Sequence, residues 1–509
     1  MTSRSENTKR IAKNTLMLYA RMLFSMLVSL YTSRVILNAL GVEDYGIYNV
    51  VGGFVAMFSL ISNSLSSSVS RFLTFELGRG DKLRLKETFS TSMLVHITLA
   101  LIVFILAESL GVWFLNSYMT IPSNRLYAAN WVFQASVISF MFGLTCVPYN
   151  ASIASHEHMS AFAYIGMLDV IFRLLIVLFI AYVPFEFDKL ITYSLLLLGV
   201  SLLLQCIYLW YCRKNFDECR FRLYFNKECW KEMSAFAGWN FIGCTAGLLK
   251  DQGVNILLNI FLGPVVNAAR GIALSVNTAV NGFAGNFMAA VNPQITKSYA
   301  AGDRDYMFSL VERGSRFSFY IMFILALPIL FETEFILTLW LKQYPEHTVN
   351  FVRLVLILSL CDILSNTLIT LQNSTGKIRN YQLAVGGMLM MNFPLSYVCL
   401  KAGLPPESVW MISIFVSICC LLLRLFFLRK MVKLSIHEFF KNVCLNVIKV
   451  ALLSAIVSFV MMTFLVCTGW KHFLLTSAVC IVSSMISVYM IGCSKNERAF
   501  IKARIFNFR

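Results

Sequence analysis

The chain has 509 residues, of which 58% are hydrophobic and only 14% are charged, and its mean hydropathy is +0.71. A soluble globular domain carries about 25% charged residues, so this composition excludes an ordinary soluble enzyme. A net charge of +17 would suit a nucleic-acid-binding protein, but the basic residues are scattered between apolar runs, so we expect no nucleic-acid partner.

Apolar runs of some twenty residues alternate with short polar loops along the chain. A helix needs about 20 apolar residues to cross the hydrocarbon layer, and continuous apolar runs favour helices over barrel strands. The sequence therefore predicts an all-α polytopic membrane protein with about 14 transmembrane helices. The predicted spans are residues 14–36, 45–66, 90–115, 126–148, 162–184, 190–211, 235–260, 268–291, 316–340, 349–372, 382–401, 407–428, 444–467 and 472–492.

The lysines and arginines between the spans alternate in number from loop to loop. If the N-terminus is cytoplasmic, the even-numbered loops and the C-terminal tail hold most of them, with Arg316 and Arg424 counted among these loop charges. The odd-numbered loops hold only Arg125, Lys189, Arg270, Lys342, Lys401 and Lys471. Basic loops stay on the cytoplasmic side of a membrane, so we expect both termini to be cytoplasmic.

A charged stretch without a long apolar run follows span six and divides the chain. We predict an N-terminal six-helix lobe (1–212), a cytoplasmic linker (213–234), a second six-helix lobe (235–430), and two extra helices with a basic cytoplasmic tail (431–509). Matching segments support two pseudo-symmetric lobes. Asn38 matches Asn259 at an offset of 221 residues, and Gly41 matches Gly263 and Gly80-Asp81 matches Gly302-Asp303 at an offset of 222. Each half has an even number of spans, so the two halves have the same orientation in the membrane. We therefore expect them to be related by an axis along the membrane normal.

Cations inside spans are the first candidates for a binding site, because each costs about 2.5–3.5 kcal/mol at the centre of a membrane helix. Arg21 in span one, Lys250 in span seven and Arg270 at the outer mouth of span eight predict a ladder of positive charge along a path between the lobes. Arg34, near the outer interface, is a further candidate. Such cations attract phosphate groups, although snorkelling or pairing with a carboxylate also explains them.

Carboxylates inside spans give a second set of candidates. Asp169 and Arg173 are four residues apart, so they meet on one helix face and predict a structural ion pair. Asp362 has no cation within a helical turn, and Asp251 points about 100° away from the adjacent Lys250. Asp362 and Asp251 are therefore candidate proton or sodium sites.

The sequence gives no sign of catalysis, a cofactor or a metal. Gly376-Lys377 is followed by Ile378, so the chain lacks an ATP-binding P-loop. His156 and His158 are two residues apart and do not share a helix face, and the cysteines lack paired zinc spacing. We expect a protein that is not an enzyme.

Several segments resemble one family of membrane proteins. They are Lys13-Asn14-Thr15, the turn from Leu40 to Tyr48, Ser70-Arg71-Phe72 with Gly80-Asp81, and Ser374-Thr375-Gly376-Lys377. With the predicted spans, they resemble the Wzx-like flippases of O-antigen and capsule repeat units, in the multidrug/oligosaccharidyl-lipid/polysaccharide exporter superfamily.

The resemblance implies a MATE-like fold with two six-helix lobes around a cationic cavity, in a bacterial inner membrane. It also implies that the chain moves an undecaprenyl-pyrophosphate-linked oligosaccharide from the cytoplasmic to the outer leaflet by alternating access. Membrane lipid, glycosyltransferases and a polysaccharide polymerase are the partners expected from the family.

Three alternatives stay open. A multidrug or cation antiporter of the same superfamily predicts an acidic cavity, and the charges inside the spans here are more basic. A flippase for the peptidoglycan precursor shares the fold and the cationic cavity. A membrane glycosyltransferase or polymerase usually needs a large outer loop, and the outer loops predicted here are short.

Overall fold

The computed structural model describes residues 4–56, 59–117, 121–184, 186–220, 226–463, 469–495 and 497–499. The regular structure in these ranges is entirely helical, which confirms the predicted fold class. The helices are α1 (Arg4–Ala56), α2 (Ser59–Arg79), α3 (Lys82–Ser117), α4 (Leu126–Ser155), α5 (Met159–Tyr182), α6 (Lys189–Asn215), α7 (Lys227–Leu262), α8 (Pro264–Ala300), α9 (Arg304–Phe331), α10 (Thr333–Leu341), α11 (Thr348–Thr375), α12 (Arg379–Lys401), α13 (Ser408–Val432), α14 (Ile436–Thr463) and α15 (Trp470–Gly492).

The protein is a multi-pass membrane protein. Within the described residues, 10 helices are long and apolar enough to cross a membrane, namely α4 with the short turn before it, α3, α5, α6, α9 and α11 to α15. The predicted count of 14 is therefore not confirmed. The four other predicted spans lie in α1, α2, α7 and α8, which are not among these ten helices.

Two pairs of glycines give the repeat the same local structure in both halves. Gly41 and Gly263 have φ values of 82° and 80°, and Gly80 and Gly302 have 77° and 78°. Glycine adopts this left-handed conformation with little strain, so each glycine ends or breaks a helix. The aspartate after each glycine of the second pair caps the next helix, accepting a backbone amide hydrogen bond at 3.0 and 3.2 Å.

A pair of hydrogen bonds between helices is repeated in the same way. The hydroxyl groups of Thr74 and Ser155 lie 2.8 Å apart, and those of Thr296 and Ser374 lie 2.9 Å apart. All four side chains are buried. A buried hydroxyl needs a hydrogen-bond partner, and in both halves a second hydroxyl group provides it.

The chain forms two compact units, Met1–Phe241 and Ile242–Arg509. The boundary falls inside α7, because the first turns of this helix are bonded to unit 1. Ser64 and Ser68 of α2 donate hydrogen bonds to the carbonyl groups of Ala237 and Met233, at 2.7 and 3.1 Å.

The core of unit 1 lies along α4, which packs against α2, α3 and α6, while α1 packs against α5. Val132, Phe133 and Val137 of α4 are buried together with Val51 and Leu190. In unit 2, α9 packs against α8, α11 and α15. In each unit, several helices thus pack against one helix, α4 in unit 1 and α9 in unit 2.

Candidate functional site

Arg21 is held against α5 by an aromatic ring and a glycine. Its guanidinium carbon lies 4.9 Å from the centre of the Phe162 ring, which is a cation–π distance. A Cβ atom at Gly166 would lie 2.7 Å from Arg21 Cδ, so the absence of a side chain there makes room for the arginine stem. Among the side chains that the structure describes, no carboxylate lies within ion-pair distance of Arg21. The half-buried charge is positioned without being neutralised by an ion pair.

Lys250 is the corresponding cation of unit 2. It is half-buried in α7, and none of the described carboxylates lies within ion-pair distance of its ammonium group. Asp251, the next residue, is exposed. Since Arg21 and Lys250 belong to different units, the ladder of charge between the lobes stays a prediction.

Arg270 lies in the interior of unit 2. Its exposed fraction is 6%, its Nη2 donates a hydrogen bond to the backbone carbonyl of Asp251 at 3.0 Å, and its guanidinium carbon lies 5.7 Å from the centre of the Trp410 ring. Its Nε has no hydrogen-bond partner among the described groups. These contacts tie α8 to α7 and α13. The predicted role of Arg270 in substrate binding stays untested, as does that of Arg34, whose side chain lies outside the described residues.

Arg173 lies in the wall of a polar cavity inside unit 1. Its Nε is 2.7 Å from Asp169 Oδ1, which is the contact expected from their spacing. The cavity has a volume of about 490 Å³. Hydroxyl groups line it, from Tyr48, Ser62, Ser136, Ser139, Ser194 and Ser201. Sequence reasoning missed this cavity, because single serines on different spans give no sign that they face one another.

Asp362 belongs to a polar network inside unit 2. It accepts a hydrogen bond from Ser417 of α13. Two turns further along α13, Arg424 donates to the Tyr381 hydroxyl at 3.0 Å and to the Ser365 hydroxyl at 3.1 Å. Arg424 is buried in α13, within the predicted span 407–428, so counting it among the cytoplasmic loop charges was wrong. The apolar run on both sides of this arginine, Leu421 to Leu428, indicated the helical position.

The two histidines of the His156-Glu157-His158 segment make contacts within unit 1. His156 Nε2 lies 2.5 Å from Glu218 Oε1, and the ring stacks on Phe216 at 4.2 Å. His158 Nδ1 lies 3.0 Å from the Tyr211 hydroxyl. In the part of the chain that the structure describes, no group of three or more His, Cys, Asp or Glu side chains is arranged to hold a metal.

Comparisons with known sequences agree with this architecture. A sequence model of the family described as polysaccharide biosynthesis protein matches residues 11–299. The chain is also 20% identical over 309 residues to the uncharacterized membrane protein EpsK of Bacillus subtilis (strain 168). The aligned region spans 60% of this chain and 60% of that relative's length.

Comparisons with solved structures identify the fold. A crystal structure of MATE in complex with MaD3S has a TM-score of 0.71 at 12% identity, covering 84% of this chain and 97% of that one. An outward-facing multidrug resistance MATE transporter of the MOP superfamily has a TM-score of 0.70 at 12% identity, covering 85% and 99%. A MOP superfamily transporter from Pyrococcus furiosus, described as having a binding pocket of reverse polarity, has a TM-score of 0.68 at 11% identity, covering 83% and 96%. The chain therefore shares the MATE fold.

Proposed function

The chain belongs to the polysaccharide biosynthesis protein family, and on that basis we propose that it is a flippase for lipid-linked glycans. In this proposal it moves an undecaprenyl-pyrophosphate-linked oligosaccharide repeat unit from the cytoplasmic to the outer leaflet, for O-antigen or capsule synthesis. The lobes alternate between inward-open and outward-open states, and no covalent reaction takes place.

The observation that carries the proposal is that Arg21 is half-buried and has no carboxylate partner among the described side chains. A cation at membrane depth is costly, and one without a carboxylate partner among the described side chains needs another anion or an aqueous path. A pyrophosphate is such an anion, and an arginine binds its oxygens with two parallel hydrogen bonds. Lys250 adds a second half-buried cation without a described carboxylate partner.

The same observation separates the proposal from drug export. A transporter of organic cations needs accessible carboxylates, whereas Asp169 is engaged by Arg173 and Asp362 by Ser417, and of the candidate carboxylates only Asp251 is exposed in the described part of the chain. The Pyrococcus furiosus transporter, with its described reversal of pocket polarity, is a precedent for a change of charge on this fold.

The energy source and the partners are part of the proposal. An inside-negative potential favours outward movement of an anion by about 2.3 kcal/mol per charge per 100 mV. Proton or sodium coupling would use Asp362 or Asp251. We place both termini in the cytoplasm of a bacterium, with a glycosyltransferase supplying the substrate and a polymerase consuming it on the outer face.

Proteoliposomes provide the test. They would contain the full chain and a fluorescent short-glycan polyprenyl pyrophosphate, whose exposure is followed with a membrane-impermeant quencher, with and without a membrane potential. We expect protein-dependent transfer that is lost in the double variant Arg21→Gln/Lys250→Gln and kept in the control Lys401→Gln, whose lysine lies at the end of α12.

Two outcomes would overturn the proposal. One is transfer by the double variant at the rate of the unchanged protein. The other is an absence of glycan transfer together with efflux of organic cations under a proton or sodium gradient, which would indicate a cation antiporter.

A further inference from the structure

A polar cleft of about 800 Å³ lies in unit 2, at the face predicted to be cytoplasmic. Its walls come from the first half of α9, the first half of α14, and the residues at and after the end of α15. The last two elements lie outside the internal repeat. The cleft therefore belongs to a part of the chain that the two-lobe plan does not account for.

The back of the cleft is closed by ion pairs within the protein. Glu497 accepts hydrogen bonds from Arg316 at 2.9 Å and from the backbone amide of Ser494 at 2.7 Å, and its carboxylate lies 3.3 Å from Arg313. The Ser494 hydroxyl accepts from the Glu497 amide at 3.4 Å, which completes a capping box. Arg316 is thus buried in α9, where the predicted span 316–340 begins, so counting it among the cytoplasmic loop charges was wrong. These groups form a wall whose charges are already paired.

Other hydrogen-bond donors in the cleft are not paired with a carboxylate described by the structure. Lys441 and Lys449 are exposed in the wall formed by α14, and no carboxylate described by the structure lies within ion-pair distance of either ammonium group. The Tyr320 hydroxyl donates to Asn446 Oδ1 at 3.2 Å, which leaves the Asn446 amide nitrogen as a donor. Two ammonium groups and an amide suit a phosphate, and basic pockets between membrane helices bind lipid headgroups.

Two carboxylates lie at the rim of the cleft, and Glu312 places a further one deeper on α9, where it accepts a hydrogen bond from Asn442 at 3.1 Å. Asp305 and Glu438 lie in the first turns of α9 and α14 and are exposed at the rim. Arg316 and Lys449 lie eleven residues further along the same helices, about 16 Å deeper. In an aminophospholipid the phosphate is attached to the glycerol, nearer the membrane, and the ammonium group follows it. Along α14, Lys441 lies three residues beyond Glu438, about 4.5 Å along the helix, which is close to the spacing of a phosphate and an ammonium group joined by two carbons.

The surface beside the cleft is apolar. Leu445, Ile448 and Leu452 of α14 are 39%, 48% and 59% exposed, so acyl chains can lie along this helix while a headgroup occupies the cleft.

We propose that the cleft binds the headgroup of a phospholipid that carries a primary amine, such as phosphatidylethanolamine. Lys441, Lys449 and Asn446 bind the phosphate, and Asp305 and Glu438 bind the ammonium group. The bound lipid lies in the leaflet on that side of the membrane. This site does not depend on the proposed transport activity, because it predicts a resident lipid and not a transported one.

Native mass spectrometry of the purified full chain, titrated with lipids of equal chain length, tests the proposal. We expect phosphatidylethanolamine to be retained more than phosphatidylcholine, whose quaternary amine donates no hydrogen bond. Loss of two lysine contacts in Lys441→Gln/Lys449→Gln should weaken phosphatidylethanolamine binding by about tenfold or more. Lys441→Arg/Lys449→Arg should keep it, and so should Lys495→Gln, whose lysine is exposed and does not line the cleft.

A second pair of variants tests the rim. Asp305→Asn/Glu438→Gln should abolish the preference for phosphatidylethanolamine over phosphatidylcholine while phosphate binding persists. The proposal is overturned if the double glutamine variant, folded as judged by its melting temperature, binds lipid like the unchanged protein. It is also overturned if millimolar inorganic phosphate displaces the lipid, because the cleft would then be a general phosphate site.

Discussion

Arg125 donates two hydrogen bonds to the carboxylate of Asp44, with its Nε 2.7 Å from Oδ1 and its Nη2 2.5 Å from Oδ2. Its Nη1 also lies 2.5 Å from Asp188, the residue that caps α6. Asp44 belongs to the turn that follows Gly41, one of the segments that carry the family resemblance. One guanidinium therefore connects this turn to the start of α6, at the face of unit 1 that the charge distribution predicts to be outer.

Replacing Arg125 should destabilise the protein. Arg125→Ala removes the shared partner of two partly buried carboxylates and leaves them close together, so we expect a loss of about 1–3 kcal/mol. Arg125→Lys keeps the charge but loses the paired geometry, so its stability should fall between those of the alanine variant and the unchanged protein. Unfolding of the detergent-solubilised protein measures both, and equal stability of all three proteins would show that the cluster contributes nothing.

Asp188 should make the stability of the protein fall measurably at acidic pH. Burial alone would raise the pKa of Asp188, but hydrogen bonds from Arg125 and from the amides of Ile191 and Leu190 outweigh it and lower the pKa below its ordinary value of 3.8. When the pKa is lower in the folded than in the unfolded state, the ionised carboxylate stabilises the protein at pH values above the ordinary pKa. This contribution disappears as the pH falls through the folded pKa.

The corresponding experiment compares melting temperatures of the unchanged protein and Asp188→Asn from neutral pH to below that ordinary pKa of 3.8. Asparagine keeps the helix cap but does not titrate there. The difference between the two proteins should shrink as the pH falls, and a difference that stays constant would contradict the assignment.

Gly166 should control the position of Arg21. In Gly166→Ala the new Cβ would lie 2.7 Å from Arg21 Cδ, so the flexible arginine stem must move while the helices need not. We expect glycan transfer to fall severalfold with little change in melting temperature, because the loss of positioning exceeds the cost of repacking. Gly199→Ala is the matched control, since a Cβ atom added there would have no neighbouring heavy atom within 4 Å. Equal transfer by both variants would separate the Arg21 position from function.

The sequence predicts those features that the bilayer or the backbone imposes locally. Long apolar runs give membrane helices because a helix pairs its own backbone groups, whereas an unpaired backbone is not stable in lipid. The repeated glycines Gly41 and Gly263 give helix breaks, because their positive φ values are costly for other residues. These features need no knowledge of which helices are neighbours.

Contacts between distant segments could not be predicted in the same way. The partners of Arg125 lie 81 and 63 residues away, so their meeting depends on how the helices pack. Arg270 and Arg424 lie within or beside apolar runs, but the sequence does not show which groups on other helices contact their charges. Both arginines are buried against hydroxyl, carbonyl or aromatic groups that other helices supply.

Arg424 should prove essential for the stability of unit 2. It is buried, and its two hydrogen bonds join α13 to Tyr381 of α12 and Ser365 of α11. Arg424→Gln removes the charge and cannot reach both hydroxyl groups, so we expect a loss of about 1–3 kcal/mol. Tyr381→Phe removes one of the same bonds, so the double variant should lose less than the sum, with a coupling of about 0.5–3 kcal/mol. Additive losses in unfolding measurements would mean that the bond to Tyr381 does not stabilise the unit.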